Sequence, residues 1–372
     1  MIPEYRGLTW EHPRGYNALA AAAEAARDVR IAWDKHSLEG FESRPIGEQC
    51  ALYDLVVLDH PHVGEAVAAE CLVPLEDLFA ADELARLDAA AIGPSLASYR
   101  YAGRHWALPL DAATQVMACR RDMAEAPPAS WDEVIALAER APVALSLAGP
   151  HAALSFQSLC GALGAESSQP RDSFIDRRVA REAWTILTRL AGDASRRAAG
   201  LNPIAMLEAM ASGDGPVLCP LIYGYVNYSA QGAIAYADAP RGPGGRIGST
   251  LGGTGIAVSR RAKVTPQLLD HLRRLMSDSV QRGFIPAHDG QPSLRSAWAD
   301  PQVDAAAMGF YSATRATIEA ALVRPRHNHA IAFQTQASAL LRAGLLDGAP
   351  ADPVLDAVEA AYSRHHTPGA ET

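Results

Sequence analysis

The 372-residue chain has almost no lysine: 31 of its 33 basic side chains are arginine, leaving only Lys35 and Lys263. Beside abundant alanine, that bias reads as the mark of a GC-rich coding sequence. Net positive charge is also missing. A formal charge of −9 and a pI near 5.7 argue against a nucleic-acid partner, whose phosphates reward a basic surface. No uninterrupted apolar run is long enough to span a bilayer. The alanine-rich stretch 18–26 is broken by Glu24 and reads as an ordinary helix. Cysteine is sparse. Cys50, Cys71, Cys119, Cys160 and Cys219 are odd in number and widely spaced, with no C-x-x-C pair, so they read as inert core thiols rather than a disulfide framework or a zinc site. The opening MIPEYRGLTWEHPR has no basic, apolar or cleavage region, so either an export signal has been removed or the protein stays in the cytoplasm. Phosphate-loop, dinucleotide, zincin and nucleophile-elbow motifs are absent, and no cofactor or metal is expected.

What is present is a globular composition, 49% hydrophobic and 20% charged, in a chain long enough for two domains. The first third alternates strand and helix signals. Strands are expected at 7–11, 29–33 and 54–58, and helices at 16–26 and 40–52. The run DLVVL at 54–58 is apolar on both faces, as a buried parallel strand requires. Such alternation implies an open, mainly parallel sheet covered by helices. Residues 99–110 read as a hairpin around Gly103, with a separate extended run from Val116 and a capping box at Ser130 opening a helix. Further strands are expected at 143–147, 217–222 and 255–259, and helices at 180–190, 203–212, 266–282, 301–322, 330–343 and 353–364.

Four segments resemble one family. YAGRHWALPLDAATQVMACRRDM followed by PPASWDEVIALA is similar to the hinge-crossing region of family 1 extracellular solute-binding proteins of ABC importers. DLVVLDHPHVGEAVAAECLVPLED, at 54–77, resembles that family's third strand, cleft loop and L-x-P-L-x-D turn. LGGTGIAVSRRAK, at 251–263, resembles the strand that returns to the first lobe. The resemblance implies an α/β, two-lobed periplasmic-binding-protein-like fold with a helical C-terminal part and a ligand cleft between the lobes. It places lobe 1 at 1–110 plus about 249–305, and lobe 2 at 111–248 plus about 306–372. It also implies a monomer, an ABC permease as partner and a periplasmic location.

Ligands of open α/β sheets sit beyond the carboxyl ends of the strands. Three such ends carry His12 and Arg14, then Lys35 and His36, then Asp59, His60 and His62. Arg14 and Lys35, with the N-terminus of the following helix, could hold a carboxylate or phosphate, so the expected ligand is a small polar anion. A neutral sugar is the alternative, and an enzyme using His12, His60 or Asp59 as acid or base is a third reading. The hinge side offers Asp111, Thr114 and Gln115. The second lobe offers Tyr223, Tyr225 and Asn227, with Ser155 and Gln157 as lesser candidates. Gly253 and Thr254 fall in a glycine-rich approach to the cleft, and Arg324 and Arg326 either line it or cap a helix.

Overall fold

The computed structural model describes residues 2–123, 126–165 and 173–366. Among them nine strands form. β1 (Glu4–Trp10), β2 (Arg30–His36) and β3 (Leu55–Leu58) come first, followed by a small ribbon of β4 (Arg100–Tyr101) and β5 (Arg104–His105). The rest are β6 (Leu108–Arg120), β7 (Leu218–Tyr223), β8 (Ile234–Ala237) and β9 (Leu251–Val258). The main sheet runs β2-β1-β3-β9-β6-β7, with β8 added on β6.

The parallel part of that sheet is confined to β2, β1 and β3. β9 is antiparallel to β3 and β6, and β6 is antiparallel to β7 and β8. The sheet is therefore mixed, where the sequence suggests a mainly parallel one. The reason lies in β6. The sequence splits it into a hairpin arm and a later run, but it is one strand of 13 residues. Its first half pairs with β9 and its second half with β7 and β8, so a single strand crosses from one lobe to the other.

Local chemistry accounts for the other departures. Residues 40–52 are two helices, Leu38–Ser43 and Ile46–Leu52, because Pro45 drives Arg44 out of the helical region. Residues 301–322 divide into Pro301–Ala306 and Phe310–Glu319 where Met308 and Gly309 turn left-handed. The helix begun at 266 stops at Leu275, with a π turn following at Val280–Phe284. Residues 143–147 make only a single parallel bridge, Val143 to Leu218, rather than a strand. In the β4–β5 turn, Ala102 and Gly103 both have positive φ, the geometry a two-residue hairpin loop favours.

Two large apolar cores result, beside two smaller clusters. One joins β1–β3, β9 and the middle of β6 through residues such as Leu55, Val57, Leu108 and Ile256. The other packs the helices His151–Ala162, Arg177–Leu190, Ala330–Asp347 and Ala351–His365 around Phe156, Trp184, Phe333 and Tyr362. No helix among the described residues is long and apolar enough to cross a membrane.

Candidate functional site

The parallel register sets Trp10 beside His36, so the ends of β1 and β2 present both at one edge of the sheet. Pro13 occupies the first turn of the helix Pro13–Ala25, and the His12 ring accepts the Arg14 amide as its cap. The end of β3 turns through Asp59, whose carboxylate accepts the His60 amide at 2.9 Å, into the short turn His60–His62. Opposite this wall stand Tyr223 and Tyr225 after β7, and the loop 146–151. The two sides touch: Tyr225 packs edge-on against Trp10 at 6.0 Å and His12 at 5.1 Å. Glu42 lies 3.5 Å from His151, and Asn202 donates to Glu39 at 3.2 Å. The lobes are closed on one another.

Two arginines hold this closure, and each already has its anion. Arg14, 6% exposed, forks onto Asp111 at 2.6 and 3.1 Å and donates to the Gly224 carbonyl at 3.1 Å. Asp111 also accepts the Thr254 amide at 2.9 Å. Burial would lower the Arg14 pKa, but Asp111 outweighs it and keeps the guanidinium charged. Arg324 pairs with Asp59 and donates to the Leu251 carbonyl at 2.9 Å and Gln334 at 3.3 Å. Its own amide donates to the His60 ring at 3.2 Å. Burial would raise Asp59, yet Arg324 and His60 together hold it well below the usual carboxylate range. Lys35 stands apart on the exposed face, 3.2 Å from Glu11 and over the Tyr16 ring.

The remaining wall is polar, buried and unpartnered. The Trp10 indole nitrogen, both ring nitrogens of His36, His62 and His151, and the Ser146 hydroxyl make no hydrogen bond. Glu65 at 3.7 Å and Glu42 at 3.5 Å are the nearest carboxylates to His62 and His151, beyond good hydrogen-bonding reach. Burial pushes His36 down to about 4, helped by Arg44 and His62, and pushes His12 down to about 4, helped by Arg14. Both are neutral at physiological pH. His12 stacks on Trp10 with ring centroids 5.1 Å apart and planes 7° from parallel. Phe41 bridges Trp10 and His36, 6.0 Å from each. Tyr223 lies edge-on to His151 at 5.8 Å, and burial lifts its phenol to about 12.

The candidates from sequence thus divide. His12, Arg14, His36, Asp59, His60, His62, Asp111, Tyr223, Tyr225 and Arg324 converge between the lobes. Gln115 and Thr114 belong to a sealed seam instead. Gln115 accepts from Ser158 at 2.6 Å and Thr250 at 3.1 Å, and Thr114 meets Ser249 at 2.5 Å. Gly253, at φ 88°, lets β9 pass close to β6, since a Cβ there would lie 2.5 Å from the Asp111 carbonyl. Ser155 joins the Gln115 seam, and Arg326 serves backbone carbonyls at Ala97, Ser98 and Arg100. Asn227 faces a separate cavity of about 200 Å³ with Pro286, Asp289 and Tyr311, where it donates to the Asp289 carbonyl at 3.1 Å. Trp10, Glu42, Ser146 and His151 escape the sequence reading. Trp10 hides inside a strand pattern, and His151 opens a helix with no motif around it.

The family model described as bacterial extracellular solute-binding protein matches residues 47–307. Solved structures of similar fold include maltose-bound T. maritima MalE3, 15% identical, covering 97% of this chain and 99% of that one at a TM-score of 0.79. An ABC transporter solute-binding protein from Agrobacterium radiobacter K84 in complex with ribitol is 20% identical, with coverage of 97% and 98% and a TM-score of 0.78. The GacH receptor of Streptomyces glaucescens is 17% identical, with 98% of both chains covered and a TM-score of 0.78. No curated protein sequence matches the chain. With a two-lobed fold closed over a polar wall, and a family match over most of its length, the chain belongs to the bacterial extracellular solute-binding protein family.

Proposed function

We propose that the chain clamps an uncharged polyhydroxylated molecule, a sugar or polyol, between its lobes and presents it to an ABC permease outside the cytoplasm. The observation that carries this reading is the row of buried, unpartnered polar atoms on Trp10, His36, His62, His151 and Ser146. An unmet buried donor or acceptor costs about 1–3 kcal/mol, a cost that ligand hydroxyls would relieve. The neutral His36 imidazole offers one donor and one acceptor, as vicinal hydroxyls do. The half-buried ring of Tyr223, beside His151, adds an apolar face for the carbon skeleton.

The sequence favours an anion because of Arg14 and Lys35. An anion would now have to displace Asp111 from Arg14 or Asp59 from Arg324, and Lys35 points to solvent. The ligands named for the similar structures, maltose and ribitol, carry no charge and support the neutral alternative. We read the site as binding without chemistry. Of the acid–base candidates, His60 and Asp59 are engaged with Arg324, and His12 caps its own helix while stacking on Trp10. We place the lobes as the resemblance implies, lobe 1 at 1–110 plus about 249–305 and lobe 2 at 111–248 plus about 306–372, of which residues 367–372 lie outside the described part.

The test is a thermal-shift screen of maltose and ribitol against small carboxylates and phosphorylated acids, followed by recovery of the ligand. Saturating ligand raises stability by about 2.7 kcal/mol at a hundredfold excess over Kd. A rise with neutral polyols alone, and their recovery unchanged, is the expected result. A rise with acids alone overturns the reading, and a chemically altered ligand restores the enzyme.

A further inference from the structure

Five cysteines are reduced in the structure, but two of them are neighbours. Cys50 sits on the helix Ile46–Leu52, and Cys71 follows the helix Val63–Ala68, in one apolar cluster with Val56, Leu58 and Leu72. The two helices approach closely enough that a Cβ on Gly47 would lie 3.6 Å from the Ala69 Cβ. A single segment braces both cysteine-bearing stretches. The Ser259 amide donates to the Asp54 carbonyl at 2.9 Å and its hydroxyl to the Tyr53 carbonyl at 2.7 Å. On its other side the Arg260 amide donates to the Cys71 carbonyl at 2.9 Å, and the Val73 amide to Val258 at 2.8 Å. Within that frame the Cys71 thiol donates to the Ala66 carbonyl at 3.6 Å, on the helix packed against the one that carries Cys50, and both cysteines lie in the same apolar cluster.

We propose that Cys50 and Cys71 are a disulfide-forming pair, oxidised by a small-molecule disulfide or an exchange protein in the extracellular compartment of this family. Disulfides form and persist in such compartments. The two thiols are not equivalent. Cys50 is buried among apolar side chains, whereas Cys71 is half-buried and within reach of the reagent. Cys71 is therefore the attacking thiolate. It displaces one thiolate from the reagent and forms a mixed disulfide. Cys50 then gives up its proton to solvent and attacks the Cys71 sulfur, releasing the second thiolate. Two electrons pass from the pair to the reagent, which leaves as two thiols. The loop so closed holds β3 and the His60–His62 turn, so oxidation would staple the wall that presents His62. Cys119 and Cys219, lifted by burial to about 11 and about 12, and the buried Cys160 lie in other apolar clusters and stay reduced.

The experiment treats the full chain with excess oxidised glutathione, alkylates it after denaturation and maps the peptides by mass. Expected are three alkylated cysteines out of five, a Cys50–Cys71 linked peptide, and a melting temperature that drops when reductant is added. In Cys71→Ser, every remaining cysteine alkylates and reductant leaves the melting temperature unchanged. Alkylation of all five in the treated wild type overturns the proposal, as does glutathione retained on Cys71 with no linked peptide.

Discussion

The seam at the middle of β6 and the cleft wall beside it are equally buried and both polar, yet they differ in one respect. In the seam, Thr114, Gln115, Ser158, Ser249 and Thr250 use one another, so the hinge is sealed by its own hydrogen bonds. On the wall, the ring nitrogens of His36, His62 and His151 have no hydrogen-bond partners. Unpartnered atoms occur elsewhere too, such as the Trp33 and Trp131 indole nitrogens, His271 Nε2 and both ring nitrogens of His327. At the wall they gather from both lobes. Burial and polarity alone therefore do not separate scaffold from site; saturation does.

The comparison can be broken most forcefully at the buried ion pairs. Arg324→Ala leaves Asp59 buried without its cation and should cost about 3–5 kcal/mol in urea denaturation. A loss under 1 kcal/mol would mean that water already reaches the pair. Acid comes next, and it should act on the wall rather than the seam. His12, His36 and His60 titrate at about 4 when folded, chiefly through burial, against an ordinary 6.5. Between those values the unfolded chain binds more protons, so their contribution is complete above about pH 6.5 and is lost as pH falls towards about 4. Denaturation midpoints flat across that range would contradict the assignment. In the seam, Gln115→Ala strands Ser158 and Thr250 and should cost about 1–3 kcal/mol while leaving ligand affinity unchanged. His151→Leu should do the reverse. Stability without ligand holds or rises slightly, because an unmet polar group is replaced by an apolar one, while calorimetry with the ligand from the screen shows affinity falling at least about tenfold, or about 1.4 kcal/mol. The smallest effect belongs to Lys35→Ala, expected within about 0.5 kcal/mol in stability because its pair with Glu11 is exposed.

Much of this was legible in the sequence. The clustering of His12, His36, His60 and His62 follows from parallel strands alone, since their carboxyl ends share one edge. The unity of β6 was hidden by its own polar residues. Asp111, Thr114 and Gln115 look like a loop between two apolar arms, because the groups that satisfy them, Arg14, Ser249 and Thr250, come from distant parts of the chain. For the same reason the sequence leans towards an anion: it shows Arg14 but not that Asp111 lies against it. His151 and Ser146 were invisible because nothing local distinguishes a residue left without a partner. Cys50 and Cys71 looked like two scattered core thiols until the brace at Ser259 brought their segments together.

The exchange of partners along β6 also bears on the order in which the protein can fold. Leu55 pairs with Val258 and Leu108 with Ile256, contacts separated by roughly two hundred and one hundred and fifty residues, and such long-range pairing slows folding. During synthesis the first lobe has β1, β2 and β3 in hand early, but its sheet stays open at β3 until β9 has been made. The second lobe completes its strands β7 and β8 before the first is finished. Assembly is thus decided late, by one returning strand.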